Sequence, residues 1–231
     1  MRLQIDSRTV GEVLVVKCSG RIVAGNETQA LHDHVKMAVR ETPDIVLQLG
    51  EVGFIDSSGL GTLVRLMTHT RSSGGDLKLC AIPENILKTL RMTNLHTIFD
   101  AYPSEGEAIT ASYQRRRSKE STTVHSARKI VCFDKSADVL AYARELLRQA
   151  GYNVLSTSMW PDAQILIRAT HPDLIIIGPR TVRGDESTTE SLKRIAPAVP
   201  VLVLDEDFST GDAGEAGTFL LEKIRNLVPA V

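Results

Sequence analysis

What most constrains the fold of this chain is a rhythm. Short β-branched runs alternate with amphipathic stripes, and the alternation stops once and then restarts. Strand–helix alternation of this kind means βαβ units, with parallel strands joined by right-handed crossovers. In the first series, residues 12–18 and 45–49 read as strands by their β-branched, apolar character. Residues 27–40 read as a helix, with Asn26 as N-cap and Leu31, His34, Val35 and Ala38 on one stripe. Residues 57–73 read as a second helix, with Leu60, Leu63, Val64 and Met67 spaced i, i+3, i+4, i+7 and Gly74-Gly75 to stop it. Residues 76–82 follow as a strand, and Pro83 opens a helix through Ile86, Leu87 and Leu90. A last helix covers residues 104–114.

Between residues 115 and 126 the rhythm is lost. Arg115, Arg116, Arg117 and Lys119 stand there without an aromatic or apolar face, the mark of a solvated connector rather than of a nucleic-acid or lipid contact. Beyond it, residues 129–133 and 153–156 read as strands. Residues 136–150 read as a helix striped by Val139, Leu140, Ala143, Leu146, Leu147 and Ala150, and Pro161 begins another. Residues 173–177 and 199–204 are continuous apolar runs of the kind found in parallel strands buried on both faces. Residues 216–228 read as a final helix. At ~150 residues per domain, a chain of 231 residues leaves room for one large domain or two small ones. The restart decides for two: an α/β domain over 1–114, a basic linker over 115–127 and a second α/β domain over 128–231.

Composition narrows the function classes. With 27 basic and 28 acidic residues the chain is near neutral, which removes a wholly basic nucleic-acid binder and gives no pull toward anionic membranes. Aromatics make up 4%, too few for a base-stacking platform. The start, Met1-Arg2-Leu3-Gln4-Ile5-Asp6, has no signal-peptide core, and no stretch approaches the ~20 apolar residues of a membrane span. A cytoplasmic location is expected. Cys18, Cys80 and Cys132 each sit in a strand-like run without metal or redox spacing, and read as buried thiols. His32 and His34 point to different helix faces, and His69, His96, His125 and His171 show no ligand spacing. No Walker-type loop is present, and Gly59-Leu60-Gly61 lacks the third glycine of a dinucleotide fingerprint. No cofactor and no resident metal are expected.

The most informative segment is Phe54-Ile55-Asp56-Ser57-Ser58-Gly59-Leu60-Gly61. A strand end passes through an acid and two hydroxyls into a glycine-bearing first helical turn. Each interior glycine costs a helix ~1 kcal/mol relative to alanine, so Gly59 and Gly61 suggest a close approach to this backbone. The N–H groups of a helix start favour an anion, and a serine there is well placed to carry a phosphate. The plainer alternative is an Asp56 or Ser57 N-cap with glycines chosen for packing. A serine nucleophile is the weakest alternative, since no Gly-x-Ser-x-Gly elbow is formed.

This segment, followed by Gly74-Gly75-Asp76-Leu77-Lys78-Leu79-Cys80, resembles the STAS domain of anti-sigma-factor antagonists. The resemblance implies a mixed sheet with helices over residues 1–114 and a phosphoswitch at the Asp-Ser-Ser-Gly turn. Ser58 would be the phosphoacceptor, with Asp56, Ser57, Gly59 and Leu60 at the partner surface. The implied partners are an anti-sigma serine kinase, bound when Ser58 is unmodified and released on its phosphorylation, and a PP2C-type phosphatase that resets the switch. Val23 stands where family members often carry an acid.

The second half resembles a response-regulator receiver, implying a flavodoxin-like parallel sheet. The resemblance rests on Lys129-Ile130-Val131-Cys132-Phe133-Asp134, on His171-Pro172-Asp173-Leu174-Ile175-Ile176-Ile177 and on the run from Val199 to Leu204. Its chemistry has eroded. One acid, Asp134, remains of the expected pair; Gly178 occupies the phosphoacceptor position; Asp205 replaces the hydroxyl residue. Aspartyl phosphorylation is therefore not expected. Asp134 and Asp205 could still meet at the strand ends and hold Mg²⁺ through water, or support an enzyme. The alternative is a pseudo-receiver used for homodimerisation or partner docking, and the whole chain could be a scaffold in another bacterial signalling assembly.

Overall fold

The structure, a computed structural model, describes residues 2–120, 127–179, 181, 186–204 and 213–228. It divides into two compact units, Met1–Ser112 and Tyr113–Val231. Both are α/β, the first around a mixed sheet and the second around an all-parallel one.

In the first unit, β1 (Gln4–Val10) and β2 (Val13–Ile22) form an antiparallel hairpin that pairs Val10 with Val13 across Gly11 and Glu12. Gly11 takes φ 62°, as the first residue of a two-residue hairpin loop does. β3 (Asp44–Ile55), β4 (Asp76–Cys80) and β5 (Asp100–Tyr102) then add in parallel, giving the order β1-β2-β3-β4-β5. The crossovers are α1 (Asn26–Ala38), α2 (Ser57–Ser72) and α3 (Glu84–Met92). Leu31 and Val35 of α1, Leu63 and Leu66 of α2 and Ile86 and Leu90 of α3 pack into one core with Leu14, Ile45, Leu47, Leu77 and Leu79 of the sheet. Alternation along the strands turns Val13, Val15, Val46, Lys78 and Cys80 to the opposite face. The start of α4 (Glu105–Glu120) is tied to β1 by an Arg8–Glu105 ion pair, and its Ala108 and Ile109 are buried.

Several expectations are revised here. β1 and β5 had no counterpart in the sequence analysis. Asn26 is the first residue of α1, and Gly25 occupies the N-cap with φ 110° and no side-chain cap. Pro83 likewise sits at the N-cap of α3. The helix expected to end near residue 114 continues to Glu120, so residues 115–120 of the expected linker are helical; residues 121–126 lie outside the described ones. α2 stops as expected: the N–H of Gly75 donates to the Thr70 carbonyl and that of Gly74 to the Arg71 carbonyl, both at 3.0 Å. Gly74 holds φ 85° there, the left-handed turn that closes a Schellman motif.

In the second unit, β6 (Lys129–Phe133), β7 (Asn153–Thr157), β8 (Leu174–Ile177) and β9 (Val201–Val203) form a parallel sheet in the order β7-β6-β8-β9. That is the 2-1-3-4 start of the flavodoxin-like order. Its helices are α5 (Ala137–Gln149), α6 (Trp160–Thr170), α7 (Glu186–Ile195) and α8 (Ala213–Leu227). Ile130, Cys132, Leu174 and Ile176 form a core with Leu140, Leu147, Leu220 and Ile224. β8 is buried throughout, but Val201 and Val203 are 38% and 39% exposed. β9 is thus an edge strand among the described residues, not one buried on both faces. α7 was not anticipated, because its polar text, Glu186-Ser187-Thr188-Thr189-Glu190, carries little apolar stripe.

Candidate functional site

The turn from β3 into α2 places Asp56 at the N-cap, where its side chain does two jobs. Oδ1 accepts the Gly59 N–H at 2.8 Å, inside the helix, and Oδ2 accepts the Ala24 N–H at 2.9 Å, in the segment after β2. Asp56 N–H in turn donates to the Ile22 carbonyl at 3.2 Å. The carboxylate therefore brackets α2 to the end of β2. The Ala24 and Gly59 N–H groups, with smaller help from the Ser58 N–H and the Arg21 charge, hold its pKa below the usual carboxylate range.

Gly59 answers the question raised by its sequence position. A Cβ there would stand 2.3 Å from the Ile22 carbonyl oxygen and 2.7 Å from Ile55 Cγ1. What approaches this backbone is the chain's own β2. At Gly61, by contrast, a Cβ would meet only Arg65 Nη1, at 3.6 Å. Gly59 is buried, and Leu60 is 6% exposed and belongs to the core. Gly59 and Leu60, expected from the sequence at a partner surface, thus turn no side chain outward in this chain. Ser57 and Ser58 are exposed on the first turn. The Ser58 carbonyl accepts the Thr62 hydroxyl at 2.9 Å, and Thr62 Oγ1 receives Arg65 Nη2 at 2.7 Å. Nearby, the Arg21 guanidinium lies 5.1 Å from the ring centroid of Phe54, which is 47% exposed. Arg65, Arg21 and Phe54 were not singled out from sequence; the seven-residue spacing of Ser58 and Arg65 on one helix was the available signal for the first.

The corner that a receiver would use is filled differently. Asp134, 1% exposed, follows β6, and its Oδ1 accepts the Ser136 N–H at 2.5 Å. A Cβ on Gly178 would fall 1.9 Å from Asp134 Oδ2. The side chain of Asp134 thus occupies the ground on which an acceptor residue at 178 would have to begin. Asp205, its proposed companion, lies outside the described residues. Among the described residues no group of three or more His, Cys, Asp or Glu is placed to hold a metal ion, and no helix is long and apolar enough to cross a membrane. Burial pushes the Cys18, Cys80 and Cys132 thiols up to about 12, the opposite of an activated thiol.

A charged cluster that sequence reasoning missed sits at the other end of the first sheet. Lys78, 3% exposed, donates to Asp76 at 3.1 Å and to Asp100 at 3.0 Å, and Arg71 Nε donates to Asp76 at 3.0 Å. Burial presses the Lys78 amine down, but the Asp100 and Asp76 carboxylates more than compensate and hold it above the usual lysine range. Fully partnered in this way, the cluster ties β4, β5 and the end of α2 together.

Residues 4–108 match the STAS domain, and the chain belongs to the STAS-domain family. Over 116 residues it is 30% identical to the anti-sigma F factor antagonist of Paenibacillus polymyxa, covering 48% of this chain and 95% of that protein. It is 26% identical over 107 residues to the anti-sigma-B factor antagonist of Bacillus subtilis, covering 46% of this chain and 97% of the relative. The crystal structure of an anti-sigma factor antagonist from Mycobacterium paratuberculosis superposes with a TM-score of 0.43 at 26% identity, over 48% of this chain and 93% of that one.

Proposed function

We propose that this protein is an anti-sigma-factor antagonist that works by partner switching in the cytoplasm. In its unmodified form the α2 turn docks on an anti-sigma serine kinase. The kinase moves the γ-phosphoryl of ATP to Ser58 Oγ, the complex dissociates, and a PP2C-type phosphatase restores the hydroxyl. The observation that carries this reading is the exposure of Ser58 on a first helical turn whose Asp56 is already committed to holding the backbone. The hydroxyl is open to a kinase while the scaffold beneath it is fixed.

A phosphoserine adds about −1.5 to −2 charges at neutral pH, beside Asp56 and in a face that must shed water to dock. A loss of ~3–4 kcal/mol would weaken binding several-hundredfold with no change of fold. The protein carries out no catalysis of its own. Its domains are a STAS domain over 1–114 and a pseudo-receiver over 128–231, which serves a homodimer or a docked partner instead of taking a phosphoryl group.

Pull-down from a bacterial lysate with wild type, Ser58→Ala and Ser58→Asp tests the switch. A serine kinase held by the alanine form and lost by the aspartate form is the expected result. Incubation of that kinase and ATP with the wild type should add one phosphate, located by mass spectrometry at Ser58. A chain left unmodified at both Ser57 and Ser58 would remove the proposal.

A further inference from the structure

A phosphate on Ser58 would find the helix start already partly occupied. The Gly59 N–H, the donor nearest to it along the first turn, is already taken by Asp56 Oδ1 at 2.8 Å, and Oδ2 of the same carboxylate holds Ala24. A charge of this size calls for a cation besides the remaining N–H groups. Residues seven apart lie two turns along one helix face, and helical side chains lean toward the N-terminus. Arg65 is therefore aimed at Ser58. Its contacts bear this out: Nη2 donates to Thr62 Oγ1 at 2.7 Å, Nη1 lies beside the bare Gly61 position, and Thr62 Oγ1 itself donates to the Ser58 carbonyl at 2.9 Å. Arg65 is exposed and forms no ion pair among the described residues, so its charge is not committed to a carboxylate.

We propose that Arg65 receives the phosphate of modified Ser58, with Thr62 as the residue that holds the guanidinium one turn away until the phosphate arrives. The inference rests on phosphorylation of Ser58 and adds to it what the modification does to its own surface. Before modification, the face presents a cation and a hydroxyl. After it, the guanidinium turns from Thr62 to the phosphate oxygens, and the face presents an internal ion pair. The partner thereby loses a positive charge to bind at the same moment that it meets a negative one.

The test needs no kinase. Phosphoserine is placed at position 58 of the full chain during translation, and its phosphorus NMR signal is followed against pH. Free phosphoserine ionises a second time near 6; a cation within reach lowers that value. In the otherwise wild-type chain the midpoint is expected to fall by about half a pH unit or more. Arg65→Gln should return it, Arg65→Lys should keep part of the fall, and Thr62→Val should change it less than Arg65→Gln does. Asp56 and Arg21, the other charges near the turn, are the same in every variant, so the difference isolates Arg65. Phosphoserine at position 57 should titrate alike with and without Arg65. Coincident curves for wild type and Arg65→Gln with phosphoserine at 58 would overturn the inference, as would an equal response at position 57. Because the phosphate is installed chemically complete, a kinase that ignores Ser58 would defeat the proposed function without touching this result.

Discussion

The two halves of the molecule each set an aspartate just past the end of a strand and press a glycine against a neighbouring group, with opposite results. Asp56 faces outward, spends both oxygens on backbone N–H groups and leaves two serines exposed beside it. Its glycine, Gly59, gives way to the backbone of β2. Asp134 is buried, bonds to the Ser136 N–H, and fills the space over Gly178 with its own carboxylate. In the first half the acid secures a turn that leaves two hydroxyls exposed; in the second it fills the space in which a side chain at position 178 would begin. An acid at a strand end is thus not by itself a sign of chemistry: what its glycine partner admits decides.

The largest effect that would break this comparison is expected at Gly59. Gly59→Ala drives a Cβ to 2.3 Å from the Ile22 carbonyl and should destabilise the first unit by about 3 kcal/mol, read by urea unfolding. Gly178→Ala meets a side chain instead of backbone, and should cost about 2 kcal/mol. Much of that should return in the double variant with Asp134→Ala, a coupling of about 1 kcal/mol or more. Gly178→Asp should gain no label from acetyl phosphate, and a labelled chain would show that the corner is open after all.

Asp56→Ala should cost about 1 kcal/mol through the lost cap. Because the Asp56 pKa is lowered in the folded chain, its stabilisation is present above the unfolded carboxylate value of about 3.9 and fades as pH falls through the folded one. Stability curves of wild type and Asp56→Ala should accordingly run parallel at neutral pH and converge in acid. Gly61→Ala, whose Cβ would stand 3.6 Å from its nearest neighbour, should stabilise α2 by up to about 1 kcal/mol. The smallest effect is expected from thiol reagents at pH 8: Cys18, Cys80 and Cys132 should stay silent in the native chain. Each should react only as its own unit unfolds, which would report separately on the two halves.

Much of the architecture was legible because it depends on period. The stripes of α2 and α5 and the apolar run of β8 announce themselves in the text, since burial of one face or both leaves a pattern. β1 escaped because Gln4, Asp6, Ser7 and Arg8 line an edge whose side chains meet water, and β5 because three residues carry no period. The turn at Asp56 was recognisable in its residue types, but the role of Gly59 was not. Its close neighbour, Ile22, is distant in sequence, and the choice between a ligand and a carbonyl needed the fold. Arg65 shows the converse case: its helical spacing from Ser58 is legible in the chain, but its tie to Thr62 is not.

The β1–β2 hairpin carries a consequence for how the molecule assembles. Every other strand pairing among the described residues joins parallel strands separated by an intervening helix or by another strand, so each must close a long loop before its contacts reward it. The hairpin alone pairs neighbours across two residues. It is expected to form first and to offer β2 as the template on which β3, and with it the serine-bearing turn, is laid down. Pulse-labelled amide exchange should find Asp6, Arg8, Val15 and Lys17, the hydrogen-bonded positions of the hairpin, protected before Ile45 and Leu47. The least conspicuous strand in the sequence would then be the one that starts the clock.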